Sequence, residues 1–401
     1  MSYSLHVNNY KTDCIINDTE LKFETEDDYG DVVKVEISDI IGLDTDDDAE
    51  KVSLYYIQRV QSPKWTQDAV QFTGTPGICK AFVSDIKNRL HTIEHRPRRL
   101  LVIVNPFGGA KNGRNVYNSI VSPLLTLANI NTNVKFTEKP KHVTDIINNY
   151  DLDTIDGIVV CGGDGTYQEC VDTLFKRLHN ETGIDLNATD FKPKNIQIPI
   201  GIVPTGTGNA IAENCYGCKD HVTSVLHIIK GHRRCRMIGG VYCDNRYVTC
   251  TALLVAYGLF GKMSAAVEEQ RWLSRARYLI VPTYYFLIKP QEEINLEITA
   301  YCRSTEDSPI SNVESNATDN TTKEIKDVYT NLIIFMADML DDDDKIRENV
   351  LTSYKTSDIV TLTLFKKCSR WSLVSFLFKL MAKNENTQTA NHLTIIRYIY
   401  I

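Results

Sequence analysis

Three short apolar runs, each passing straight into a glycine-rich loop, constrain this chain more than any other feature. Leu100–Val104 leads into Asn105-Pro106-Phe107-Gly108-Gly109, and Gly157–Cys161 into Gly162-Gly163-Asp164-Gly165-Thr166. Ile198–Val203 leads into Pro204-Thr205-Gly206-Thr207-Gly208-Asn209. An apolar run without alternation suits a strand covered on both faces, the condition of a parallel sheet between helices. Helix-like stretches separate the runs, one of them Tyr167–Leu178, and Asn133–Phe136 reads as a further strand. Strand and helix alternate, which predicts a parallel α/β domain. Loops at the carboxyl ends of such strands face one crevice, so the three loops are expected to meet although about 100 residues separate the first from the last.

Glycine lets a backbone approach a phosphate closely and turn its N–H groups toward it. A helix starting after each loop adds the positive end of its dipole. The chain has no G-x-x-x-x-G-K-[ST], no G-x-G-x-x-G opening the first strand–helix unit, and no H-R-D or D-F-G. P-loop, dinucleotide and protein-kinase sites are therefore not expected. Asp164 is an acid set between glycines at a strand end, costly to bury without purpose. Three roles suit it: base toward an attacking hydroxyl, ligand of Mg²⁺ carried on ATP, or N-cap of the next helix. The residues alone leave all three open.

Residues 1 to about 75 read as short strands, with Val32–Ile37 alternating as a half-buried strand does. Phe82, Val83, Ile86, Leu90 and Ile93 then share one helical face. Strands closed by a helix suit a small pleckstrin-homology-like β domain over residues 1–95. His95-Arg96-Pro97-Arg98-Arg99 reads as a linker, a solvated hinge or a contact for anionic head groups. An α/β domain over 98–233 follows, then a strand-rich domain over 234–401 with a polar, flexible insertion at 303–326. Leu373–Met381 reads as a short apolar helix.

A net charge of -7 argues against a nucleic-acid partner. The N-terminus shows no secretory pattern and no apolar run is long enough to span a bilayer, so a cytoplasmic protein, attached to membranes at most peripherally, is expected. Eleven cysteines suit reduced thiols. Cys215 and Cys218 would need two further ligands to hold zinc, and none is evident, so no metal site is assigned.

At these residues the chain resembles the diacylglycerol/sphingosine/ceramide kinase family, nearest its ceramide kinase branch. The likeness runs from about Arg98 to about Arg397 through RRLLVIVNPFGG, VSPLLTLANINTNVKFTEK, DGIVVCGGDGTYQE, VLHIIKGH, RWLSRARY and FKKCSR. It implies an α/β nucleotide-binding domain and a C-terminal β-rich lipid-binding domain, with ATP and lipid in the cleft between them. Asp164 matches the family's general base, between Gly162, Gly163 and Gly165 on the substrate side. Asn105, Pro106, Phe107, Gly108 and Gly109 match the first phosphate loop, Gly206, Thr207 and Gly208 the third. Thr137 and Glu169 match nucleotide contacts, and Arg271 and Arg277 match arginines on the ATP phosphates.

Sphingosine kinases carry an aspartate, paired with the sphingoid amine, where this chain has Ser264. A carboxylate opposite a neutral amide would cost energy, so Ser264, with Lys262 nearby, favours ceramide or diacylglycerol. The implied activity is transfer of the ATP γ-phosphate, with Mg²⁺, to ceramide, or else to sphingosine or diacylglycerol. A non-catalytic lipid-binding protein of the same fold is the alternative of another class. GTGNA departs from the ceramide kinase loop, and the family's Asp-Gly-Glu triplet does not occur in these residues.

Overall fold

The structure is a computed structural model that describes residues 1–7, 10–24, 32–46, 48–188, 192–301, 322–336, 359–372, 375 and 393–399. It divides into two compact units, Met1–Arg234 and Cys235–Ile401.

The first unit opens with β1 (Ser2–Val7), β2 (Tyr10–Ile16), β3 (Glu20–Glu24), β4 (Val32–Glu36), β5 (Ile40–Thr45), β6 (Lys51–Gln61) and β7 (Lys64–Thr73). They form one sheet in the order β4-β3-β2-β1-β7-β6-β5. Alternation works here: on β2, Thr12, Cys14 and Ile16 are buried and their neighbours exposed. Helix α1 (Pro76–Thr92) begins with proline at its first position and buries Cys79, Phe82, Val83 and Ile86. That spacing lays one apolar stripe on the sheet, where Phe82 meets Phe72 at 5.2 Å between ring centroids.

The α/β layer follows with β8 (Arg99–Val104), α2 (Gly113–Val116), α3 (Ser122–Leu127), β9 (Asn131–Phe136), α4 (His142–Asn148), β10 (Gly157–Gly162), α5 (Asp164–Glu181), β11 (Ile200–Pro204), α6 (Ala210–Tyr216) and α7 (His221–Lys230). The sheet order is β11-β10-β8-β9. All three pairings are parallel, with Val160 between Ile103 and Ile202. The parallel α/β expectation is borne out. Helix α5 is longer than its apolar pattern suggested. Strand β11 starts two residues later than expected, because Pro199 has no N–H for a ladder and instead offers its carbonyl to Ile158.

The stretch read as a linker is not a free hinge. Arg96 donates to the carbonyls of Ile40 (2.9 Å) and Ile41 (2.5 Å) on β5. The amides of Arg98 and Arg99 both donate to Asp156. The side chains of Arg96 and Arg98 bond to carbonyls, and that of Arg99 to the Asp156 carboxylate. Ile41, Ile57 and Trp65 of the N-terminal sheet share one buried cluster with Val102, Val104, Val159 and Val203 of the parallel sheet.

The second unit holds β12 (Gly239–Cys243), β13 (Arg246–Thr251), β14 (Leu254–Gly258), α8 (Leu259–Glu269), α9 (Arg277–Ile288), β15 (Ile294–Tyr301), β16 (Thr322–Tyr329), β17 (Asn331–Phe335), β18 (Ile359–Phe365) and β19 (Leu393–Ile399). Strands β14, β17, β18 and β19 form an antiparallel sheet, and β12–β13 and β15–β16 pair off. Leu259, Phe260, Phe286 and Phe365 make its small core. Within the polar insertion, residues 303–321 lie outside the described residues, as does 373–381 apart from Ser375. Among the described residues no helix is long and apolar enough to cross a membrane.

Candidate active site

The three glycine loops do meet, and they interlock. Asn105 N–H donates to Cys161 O, and Thr205 N–H to Gly162 O, so each loop starts tied to the neighbouring strand. Gly109 sits at φ +53°, where a Cβ would lie 2.6 Å from Thr205 O and 2.8 Å from Gly206 C. A Cβ on Gly163 would lie 2.9 Å from Gly206 Cα, and one on Gly206 would overlap Gly163 Cα. The sequence pattern suggested phosphate approach as the reason for these glycines. In the structure, Gly109, Gly163 and Gly206 are required first by backbone packing of loop on loop. Gly165, by contrast, has nothing within 4 Å of its missing Cβ.

Side chains lock the junction. Asn105 Nδ2 donates to Thr166 Oγ1 at 2.9 Å, while its Oδ1 accepts from Phe107 N–H at 2.9 Å. Asp164 is the first residue of α5, and Gly163 holds the cap position. Of the three roles open to Asp164, the cap of α5 is thereby set aside. Asp164 does not cap its own helix; its carboxylate reaches the third loop. Oδ2 accepts from Ala210 N–H at 3.1 Å and Oδ1 from Ile211 N–H at 2.9 Å, the first two amides of α6. Those amides lack partners inside their own helix, which is why an acid from elsewhere serves them. Each carboxylate oxygen keeps a second lone pair for another partner.

The remaining expected contacts divide. Thr137 is buried, its N–H given to Val104 O at the end of β8. Pro106 is half-buried, and Phe107, Thr207 and Gly208 are exposed at the loop tips. Gly208 faces Asp164, its missing Cβ 3.0 Å from Oδ2. Glu169 plays a structural part. Its Oε1 accepts from Thr144 N–H at 3.1 Å and from Thr144 Oγ1 at 3.3 Å, closing the first turn of α4. Thr205 carried no mark in the sequence beyond its place in the loop. The residue is buried, and its hydroxyl has no hydrogen-bond partner among the described residues.

No group of three or more His, Cys, Asp and Glu fit to hold a metal occurs among the described residues. Mg²⁺ is commonly held by one or two carboxylates together with substrate phosphates. Asp164, at the loop junction, is a carboxylate suited to that lesser share.

In the second unit Ser264 is exposed on α8, and Lys262 pairs with Glu292 at 2.5 Å. Arg277 opens α9, donates to Tyr278 OH at 2.8 Å and lies 3.5 Å from Glu268. Its Nε is buried without a partner among the described residues. Arg271 starts a 3-10 turn, and its side chain lies outside the described ones.

A parallel layer whose glycine loops lock around one carboxylate defines an α/β domain with a single loop-built site. Residues 99–240 match the family model of the diacylglycerol kinase catalytic domain. The chain is 30% identical to ceramide kinase of Mus musculus over 268 residues, 62% of this chain and 50% of that one. It is 31% identical to sphingosine kinase 2 of Arabidopsis thaliana over 188 residues, 45% of this chain and 36% of that one. It thus spans about half the length, or less, of these curated relatives. A solved diacylglycerol kinase from Bacillus anthracis str. Sterne shares 15% identity at a TM-score of 0.44, over 75% of this chain and 84% of that one, too slight a likeness to argue from. The family that the motifs resemble is the one whose model matches residues 99–240.

Proposed function

We propose that this protein is an ATP-dependent lipid kinase whose Asp164 takes the proton of a primary lipid hydroxyl as that oxygen attacks the γ-phosphorus of ATP. The observation that carries the reading is the Asp164 carboxylate, fixed by two amides at the junction of three interlocked loops. A base held in place loses no time or entropy finding its geometry, which suits transfer by positioning. Asn105 to Gly109, Thr137 and Gly206 to Gly208 are the proposed nucleotide contacts, with Glu169 now behind them as a helix support. Arg271 and Arg277 are proposed phosphate contacts on family resemblance alone. Mg²⁺, when bound with ATP, would supply charge neutralisation on the phosphates.

Ceramide is the proposed substrate. Ceramide kinase is named among the relatives, and Ser264 brings no acid to pair with an amine. The N-terminal seven-stranded sheet with its closing helix is proposed as a pleckstrin-homology-like domain. The proposed setting is the cytoplasm with peripheral membrane contact. Support for that contact comes from α9 and the turn before it, where Trp272, Leu279, Ile280, Tyr284 and Ile288 are exposed. Lys289 stands 5.7 Å from the Tyr284 ring. Apolar and aromatic side chains beside a cation suit the interface of a bilayer.

One observation favours a second reading. Both oxygens of Asp164 already serve α6, as a purely structural link would, and a lipid-binding protein without catalysis would need no more. Phosphate transfer from ATP to ceramide, sphingosine and diacylglycerol separates the two. Transfer to ceramide that falls about 1,000-fold in Asp164→Asn supports the base. Transfer undiminished in that variant overturns it, and ceramide binding without nucleotide binding establishes the second reading.

A further inference from the structure

We infer that Asn209 is the positioning residue that aims Asp164, an inference that rests on the reading of Asp164 as the base. Asn209 occupies the cap position of α6 in the left-handed region, φ 55° and ψ 35°, which asparagine tolerates better than most residues. Yet its side chain makes no cap hydrogen bond to α6. Its side chain is turned back on the loop, where Oδ1 accepts from Gly206 N–H at 2.9 Å and Nδ2 donates to Gly206 O at 3.0 Å. This two-point clamp is buried, with Asn209 only 7% exposed.

The clamp reaches Asp164 along two routes. In one, Gly206 lies against Gly163, the residue directly before Asp164, with no room for a Cβ on either. In the other, Asn209 immediately precedes Ala210 and Ile211, whose amides hold the carboxylate. Its left-handed turn sets the direction of both N–H groups. With Asn209 holding the loop closed, the backbone beneath Asp164 and the donors facing it are fixed together. Among the described residues the side chain bonds only to backbone of its own loop, and the inferred effect on the chemistry passes through Asp164.

Asn209→Gly keeps the left-handed turn free of strain and removes the clamp, so it is the informative variant. In the full chain we expect kcat for lipid phosphorylation to fall about 30-fold, with KM for ATP changed less than about 3-fold. Placed on top of Asp164→Asn, the same substitution is expected to cost less than about 2-fold more, since coupled residues are not additive. Hydrogen exchange supplies a readout independent of turnover: the amides of Ala210 and Ile211 should exchange at least about 10-fold faster, while β8 and β10 stay protected. Unchanged exchange at those amides overturns the inference. So does a loss confined to KM for ATP, or losses that multiply in the double variant. A wild-type chain that phosphorylates no lipid instead defeats the kinase reading, and the exchange measurement still decides whether Asn209 holds the loop.

Discussion

The loop edge of the parallel sheet and the seam where the N-terminal sheet meets α7 are both buried junctions rich in polar atoms, yet they are built in opposite ways. At the loop edge much of the contact is backbone on backbone, where Gly109, Gly163 and Gly206 leave no room for a Cβ. At the seam large side chains do the joining. Trp65 stacks on His227 with ring centroids 3.7 Å apart, and Trp65 N–H donates to Thr223 Oγ1. Asp39 is buried between Arg59, bound through both oxygens at 2.6 and 3.0 Å, and Lys230. Backbone packed on backbone has no flexible side chain to absorb an added methyl. Side-chain packing supplies more contact and more stability but leaves room for adjustment. The Asp164 carboxylate sits at the first kind of junction, and the N-terminal sheet joins the parallel layer through the second.

Substitutions can break that contrast. Gly206→Ala should have the largest effect, since its Cβ would overlap Gly163 Cα. A shift of the Asp164 backbone is expected to lower kcat by about 100-fold, as measured by phosphate transfer at equal folded fraction. Asp39→Ala at the seam should act on stability instead. It leaves Arg59 and Lys230 without their shared anion, for a loss of about 3 kcal/mol in denaturant unfolding with kcat per folded molecule unchanged. Burial works to raise the Asp39 carboxyl, but its bonds to Arg59 and Lys230 outweigh this and hold it below the ordinary range.

His227 sharpens the comparison through pH. Burial first, then the nearby His232, Arg234, Lys230 and Arg59, push its imidazole down to about 3. The unfolded chain therefore binds the proton more readily, and the stability from neutral His227 is complete above about 6.5 and lost as pH falls toward 3. Unfolding curves at pH 6 and pH 5 should differ by about 1 kcal/mol from this ring, and His227→Phe, which keeps an aromatic face for Trp65, should remove that share of the slope. Glu169→Ala should cost about 1 kcal/mol through the lost support of α4. Its KM for ATP is expected to change less than about 2-fold, and a tenfold rise would return Glu169 to the nucleotide. Gly165→Ala should be the mildest, under about 0.5 kcal/mol by thermal unfolding, because its added methyl meets nothing.

The features legible in the sequence were those carried by local pattern. Leu100–Val104 and Gly157–Cys161 announced buried parallel strands, and parallel strands bring their terminal loops together. Hidden from it were the partners of each polar group. Asp164 and Ile211 stand 47 residues apart and Glu169 and Thr144 stand 25 apart, so their bonds exist only once the layers have packed. Asn209 carried a faint signal, an asparagine directly after Gly-Thr-Gly and before an apolar helix, where a left-handed residue is wanted. Arg96 misled because a basic run around a proline looks solvated, and nothing local reveals that Ile40 and Ile41 present carbonyls to it.

The shared core of the first unit bears on how such a protein can be divided. Ile41, Ile57 and Trp65 would leave an apolar footprint on the parallel sheet if the first 95 residues were cut away. A fragment starting near Arg98 would expose that footprint to water and to other copies of itself. Genetic exchange that moved the glycine-loop segment alone into another protein would therefore have to bring a replacement cover for the same face.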